Sequence, residues 1–540
     1  MPEIVLATLN ARYLHASFGL RCLRANLGDL RAQSALVEFT ISQGPLEIAE
    51  ELLALRPRIL GLGVYIWNVA PATELVGILK RLRPDLTIVL GGPEVSHECD
   101  RQEIVRLANH VITGEADLVF PDVCRQILSG HPPAGKIVPA PPPDVARLVW
   151  PYDEYTDEDI AHRLVYVEAS RGCPFECEFC LSSLDVPVRA FPLEPFLAAM
   201  DRLFARGVRH FKFVDRTFNL NLETGRRILG FFLARMQPGL FLHFEMIPDR
   251  LPPGLRELIT RFPPGSLQFE VGVQTFDPVV AAAIHRRQDF GRLEDNFCFL
   301  RQQTGVHVHA DLIAGLPGET LEGFAAGFDR LVSLAPQEIQ VGLLKRLRGT
   351  PIGRHDETWQ MVYSPSPPYE LLQSRLIDFA TMQRLGRFAR YWDLVGNSGR
   401  FVTVLPEFWS GGASPFGEFM RFCDWFYARE NRRHGIALPH LTEQVFVWLT
   451  QERGRPADQI AAALCQDALR SGQAELPQAV KAHLPASALA AISTKRAEST
   501  RTTRRQARHR GGETTEGRAA GIRAGESGLA TAGPTSAPSS

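Results

Sequence analysis

Short apolar runs alternate with stretches of helical spacing from the amino terminus to about residue 352, and this alternation constrains the fold more than any other feature. The first series holds EIVLATLN (3–10), SALVEFT (34–40), ILGLGVYIW (59–67), TIVLGGPE (87–94) and HVITGEA (110–116). Between them lie stretches such as LEIAEELLAL and ATELVGILKRL, with apolar residues three and four apart. Strands separated by helices in this order predict an open, mostly parallel α/β sheet. Such sheets take ligands at the carboxyl ends of their strands. Those ends are small or polar here: residues 10–19, 65–68, 91–92 and 114–115.

A proline-rich joint, HPPAGKIVPAPPPD (131–144), follows and reads as a linker, because proline stiffens the chain and stops helices. A second series then begins near Leu164: RLVYVEAS, HFKFVDRTF, FLHFEMI, SLQFEVGVQ, VHVHADLIAG and EIQVGLLKRL. Six such units fit a partial barrel better than a closed eightfold one, and functional residues in such barrels sit at strand carboxyl ends. Residues 364–491 read as helical and aromatic. From 493 to 540 the chain is rich in Ser, Thr, Gly, Ala and Arg and lacks the apolar residues of a core, which predicts a disordered tail. The expected fold is therefore α/β: a doubly wound Rossmann-like sheet (1–131), a linker (132–163), a partial (β/α)6 barrel (164–352), a helical domain and the tail.

Composition narrows the setting. The chain has 540 residues, too many for one ordinary domain, and 45% of them are hydrophobic. Its net charge of -1 gives no overall pull toward nucleic acid or membrane. The arginines of STKRAESTRTTRRQARHR leave nucleic-acid contact open, although a solvated tail is the simpler expectation. The most apolar run, 59–79, is broken by Asn68, Pro71 and Glu74, so no membrane span is expected. MPEIVLATLN lacks the basic and apolar regions of a signal peptide. Nine cysteines, scattered apart from one group, point to the reduced cytoplasm rather than to a disulfide framework.

That one group is SRGCPFECEFCLSS (170–183), directly after the first strand of the second series. Cys173, Cys177 and Cys180 are spaced to hold metal. Structural zinc needs a fourth ligand, which would have to come from a distant residue such as Cys99 or Cys298. A [4Fe–4S] cluster also normally takes four cysteines; with three, one iron keeps an open position. The residues alone leave both open.

The pattern C-x-x-x-C-x-aromatic-C after the first strand of a partial βα barrel resembles the radical S-adenosylmethionine (SAM) superfamily, and the resemblance runs from Leu164 to about Pro351. It implies that Cys173, Cys177 and Cys180 hold a [4Fe–4S] cluster. The open iron would take the methionine amino and carboxylate groups of SAM, whose reductive cleavage gives a 5′-deoxyadenosyl radical. An electron donor such as a flavodoxin or ferredoxin is implied as partner. Phe179 stands at the position that packs near adenine. Asp215, in VDRTFN, falls where the superfamily contacts the methionine amino group, though the usual Gly-Gly-Glu is absent. Glu245, Glu270 and Gln274 lie at strand ends suited to the amino acid or the ribose hydroxyls. Gly315, in ADLIAGLPGET, matches the segment that cradles adenine. His307 and His309 alternate on one strand and read as barrel packing.

The first sheet resembles the cobalamin-binding domain of one class within this superfamily. Gly91, Gly92, Gly114 and Glu115 match that domain's later loops, where glycine lets backbone approach a flat macrocycle. The first loop departs from D-x-H-x-x-G: NARYLHASFG offers Asn10, His15 and Gly19 without the Asp. The combination implies a radical SAM enzyme that uses cobalamin, with methyl transfer to an unactivated carbon as the leading reaction. Two alternatives stay open: radical chemistry without methyl transfer, such as rearrangement, oxidation or modification of RNA or protein, and a non-catalytic metal- or cobalamin-binding module.

Overall fold

A computed structural model describes residues 1–185, 187–473, 475–498 and 505–510. It contains two compact units: Met1–Arg390 with Pro415–Met420, and Tyr391–Ser414 with the chain from Arg421 onward.

The first unit opens with strands β1 (Ile4–Asn10), β2 (Ser34–Thr40), β3 (Ile59–Gly63), β4 (Thr87–Gly91), β5 (His110–Gly114) and β6 (Ile137–Ala140). They form one parallel sheet in the order β2-β1-β3-β4-β5-β6. Every residue of β1 is buried because helices cover both faces. Val5, Ala7 and Leu9 enter one core with Leu60, Leu62 and Ile88; Ile4 and Leu6 enter the other with Val89, Ile112 and Phe120. Strand order reverses between β1 and β3, the point at which a doubly wound sheet binds ligands. The buried Asn68 amide fastens the loops there, donating to Thr8 Oγ1 (3.2 Å) and to the Leu9 (3.0 Å) and Gly63 (3.2 Å) carbonyls.

The proline-rich joint is more than a spacer. Its IVPA segment is β6, and Pro139 is accommodated because β6 is the edge of the sheet, where a missing N–H breaks no inner ladder. Helix Asp157–His162 follows within the expected linker, its amino end closed by a Thr156–Asp159 capping box.

The second sheet comprises β7 (Val165–Val167), β8 (His210–Phe213), β9 (Phe241–Met246), β10 (Leu267–Gln274), β11 (His307–Ala314) and β12 (Glu338–Leu343), parallel and in consecutive order. Six strands that do not close make the partial barrel expected. Phe211, Phe213, Leu242, Phe244, Leu267 and Phe269 are buried on one face of the strands. The alternate residues, which face the lumen, are polar. The first sheet is tied to the segment leading into the barrel by buried ion pairs: Arg21 meets Glu38 and Asp159, each at 2.8 Å, and Arg163 meets Glu38 at 2.6 Å. His15 also bridges to Leu164 in parallel at the start of β7. YELLQ, expected to be helical, instead supplies a short strand, Leu371–Gln373, paired with Val362–Tyr363; the helix begins at Phe379.

The second unit is helical with an aromatic core, in which Tyr391 meets Phe426 edge-on at 5.0 Å and Phe422 meets Trp448 at 5.9 Å. Helices Ala486–Glu498 and Arg505–Arg510 reach into the stretch expected to be disordered, and Arg505 pairs with Asp393 at 2.8 Å. The rest of that expectation, for 499–504 and 511–540, falls on residues outside those described. No helix among the described residues is long and apolar enough to cross a membrane.

Candidate active site

The three cysteines ride on one loop whose neck is a short antiparallel ladder, Ser170–Arg171 against Arg189–Ala190. Gly172 has φ +88°, and a Cβ there would stand 2.7 Å from the Asp185 oxygen and 2.8 Å from that of Pro187, so only glycine fits. Cys173 N donates to the Asp185 carbonyl (3.0 Å) and Cys180 N to that of Cys177 (3.0 Å). Arg171 donates to Glu168 (2.8 Å), to Asp117 (2.9 Å) and to Glu115 (2.9 Å). Arg189 pairs with the same Glu115 and with Asp185 (2.8 Å). Beside Cys177, the buried Glu178 carboxylate holds His355 (2.7 Å), His285 (3.2 Å) and Arg354.

Cys173, Cys177 and Cys180 line an open cavity at the carboxyl ends of the barrel strands, with Phe179, Glu245, Glu270 and Gln274. The structure thus brings together seven residues picked out in the sequence, and adds Arg216, Arg286 and Asp311 to them. Arg216 pairs with Glu245 at 2.7 Å. Burial raises the Glu245 carboxyl above its ordinary range while Arg216 pulls it back. Burial also acts on Glu270, but His243 at 3.0 Å together with Lys212 and His309 outweighs it, and the net shift is downward. Arg286 reaches Cys177 Sγ at 3.5 Å. Burial raises the Cys173 and Cys177 thiols, and Arg286 opposes the effect at Cys177. Gln274 stands at φ +69°, beside a register shift between Gly272 and Gln274, and its buried Oε1 has no partner. Strained backbone and an orphaned oxygen in a cavity are marks of a ligand site.

The donor set fits an iron–sulfur cluster better than zinc. Among the described residues no three of His, Cys, Asp and Glu are grouped to hold one metal ion. The suggested fourth zinc ligands are elsewhere: Cys99 donates to the Val95 carbonyl at 3.1 Å in the first sheet's domain, and Cys298 is exposed. Three thiols lining one cavity with the unpartnered Gln274 suit a larger cluster with a ligand beside it.

Two expected contacts lie off the cavity. Asp215 is fully enclosed, accepting from Ala169 N (2.9 Å) and Ser170 Oγ (2.6 Å), and burial pushes its carboxyl up to about 6. It fixes the start of the cysteine loop, while its neighbour Arg216 turns into the cavity. Gly315, at φ +89°, packs toward Leu371 and Met382, and its N–H donates to Glu319 (2.8 Å).

At the first sheet several expected cobalamin residues have partners within the fold. Gly92 (φ +109°) and Gly114 (φ +81°) are required because a Cβ would collide with the Val64 and Ala140 carbonyls. A Cβ on Gly19 would press on the Tyr65 hydroxyl at 3.3 Å, whereas Gly91 has ordinary room. Asn10 donates to Glu38 (2.9 Å), and His15 Nδ1 lies 2.6 Å from the Tyr166 hydroxyl. Glu115 is committed to the two arginines of the cysteine loop. The same strand ends nevertheless expose Tyr13, Leu14 and Trp67, the last stacked on Tyr65 at 4.4 Å. Flat apolar surface at a doubly wound switch point fits a macrocycle such as cobalamin.

A partial βα barrel with three cysteines on the loop after its first strand is the radical SAM core. Residues 167–331 match the radical SAM superfamily, 4–124 a B12 binding domain, and 357–507 a protein of unknown function (DUF4080). The chain thus carries a radical SAM domain with a B12 binding domain ahead of it, and these domains imply a [4Fe–4S] cluster, SAM and cobalamin. It is 26% identical over 311 residues to the uncharacterized methyltransferase PH0819 of Pyrococcus horikoshii, covering 51% of this chain and 64% of that protein. It is 22% identical to the cobalamin-dependent radical SAM methyltransferase TokK of Streptomyces tokunonensis, covering 52% of this chain and 46% of that one. The chain thus spans less than two-thirds of the length of the curated relatives it matches. Its fold resembles TsrM from Kitasatospora setae, a radical S-adenosylmethionine methyltransferase solved with cobalamin and a [4Fe–4S] cluster (TM-score 0.53, 19% identity, 68% of this chain and 76% of that one).

Proposed function

We propose that this enzyme transfers a methyl group to an unactivated carbon in a cobalamin-dependent radical SAM reaction. The observation that carries the proposal is the joining of two sites: Glu115, at a carboxyl end of the B12 sheet, grips both arginines at the neck of the cysteine loop. When bound, the cluster supplies one electron for SAM cleavage and cobalamin supplies the methyl carrier. Around them the chain's own residues bind and orient. Cys173, Cys177 and Cys180 hold the cluster, and Arg286 steadies the thiolate charge of Cys177. Gln274 Oε1 and the Glu270 carboxylate accept hydrogen bonds from amino or hydroxyl groups of SAM. Arg216 fixes Glu245 for the same purpose. A flavodoxin- or ferredoxin-like protein delivers the electron.

The test is anaerobic reconstitution with iron, sulfide and hydroxocobalamin, then SAM labelled at its methyl carbon, a reductant and candidate acceptors. Label in an acceptor, together with 5′-deoxyadenosine, supports the proposal. 5′-Deoxyadenosine without bound cobalamin or transferred label contradicts methyl transfer. It favours the second reading, radical chemistry alone.

A further inference from the structure

Five lumen-facing side chains form one row across the barrel. Tyr166 on β7 is the register partner of Lys212 on β8, and Lys212 that of His243 on β9. His243 in turn partners Gln268 on β10, and Gln268 partners His307 on β11. Register partners in a parallel ladder point to the same face. Each of the five carries an N–H or O–H donor.

The carboxylates around this row are taken. Glu245 pairs with Arg216 (2.7 Å), Glu270 with His243 (3.0 Å) and Glu338 with His307 (2.9 Å). Lys212 is half-buried, and among the described residues it is the one member of the row without a hydrogen bond or ion pair. Glu245 and Glu270 sense its charge without touching it. A second sign comes from the facing domain. His15, hydrogen-bonded to Tyr166 at 2.6 Å, is pushed down first by burial and then by Lys212, Arg12 and Arg163, all cations. Arg163 is neutralised by Glu38 and Asp159, but exposed Arg12 has no partner among the described residues. A half-buried ammonium with no direct ion-pair or hydrogen-bond partner is costly unless a ligand supplies one.

We propose that Lys212, with Tyr166 and His15 beside it, forms an anion site in the barrel lumen that takes a carboxylate or phosphate group of the substrate. The inference rests on the function proposed above in placing substrate within the lumen.

The probe is inorganic phosphate, titrated calorimetrically into full-length, cluster-reconstituted, cobalamin-free protein. Lys212→Gln is expected to weaken phosphate binding about tenfold or more, as loss of a charge-assisted contact does, and Lys212→Arg to retain it. Iron content of each variant reports folding. Equal affinity in wild type and Lys212→Gln, or no binding to wild type, overturns the site. Titrations with hydroxocobalamin and with cobinamide, which lacks the nucleotide phosphate, identify the source. If Lys212→Gln weakens cobalamin but not cobinamide, the anion is the cofactor's tail and the substrate assignment is overturned. If it weakens neither, the substrate assignment stands. SAM cleavage by wild type is read in the same preparation; its absence counts against the proposed function and leaves the phosphate result intact.

Discussion

Glu115→Gln tests whether the B12 domain holds the cysteine loop in place. The Glu115 side chain is 23% exposed and is shared by Arg171 and Arg189. Glutamine keeps one acceptor oxygen but removes the charge. Arg171 retains Asp117 and Glu168, and Arg189 retains Asp185. The loss is therefore smaller than that of an isolated buried pair; hydrogen bonds to charged groups contribute about 1.5–3 kcal/mol each. We take about 2 kcal/mol for the neck, which corresponds to about 30-fold easier local opening. Hydrogen exchange on peptides spanning 170–190 reads this directly, with Asp85→Asn, at the exposed Arg83–Asp85 pair, as control. Faster exchange in that loop, with the control unchanged, is expected. Exchange equal to wild type would refute the claim that Glu115 braces the loop.

Three further outcomes follow. Glu319 is buried, and burial pushes its carboxyl up to about 8, so its protonated form is favoured on folding. Its contribution to stability is fully present below about pH 4.3 and is lost as pH rises through about 8; melting temperature against pH should be flatter over that window in Glu319→Gln, and an identical profile would contradict this. Gly172→Ala meets the Asp185 and Pro187 oxygens at positive φ and is expected to lower iron per protein after reconstitution by several-fold, whereas Cys298→Ala leaves it unchanged. Gln274→Leu removes the unpartnered oxygen in the cavity and is expected to weaken SAM binding about tenfold in equilibrium titration, with iron content retained.

What could be read from the sequence was local. The alternation that built both sheets is set by strand and helix periods, and the cysteine triplet lies within one loop. What escaped depended on partners far along the chain. The ion pairs of Glu115 are not legible in its own loop, because Arg171 and Arg189 are 56 and 74 positions away. VDRTFN points to Asp215, but spacing does not tell which residue leaving β8 turns into the cavity, and there it is Arg216. Lys212 alternates with phenylalanines, as a solvent-facing residue also would, and only the curled sheet makes its face a lumen. Pro139 disguised β6 as linker because edge position is a property of the finished sheet.

The central claim is that Cys173, Cys177 and Cys180 hold a cluster that cleaves SAM. The most direct measurement is iron content with 5′-deoxyadenosine formation in anaerobically reconstituted protein, after addition of SAM and dithionite. About four irons per chain, with product, is the predicted result, and replacing the three cysteines with alanine should abolish both. One zinc per chain and no product would contradict the account.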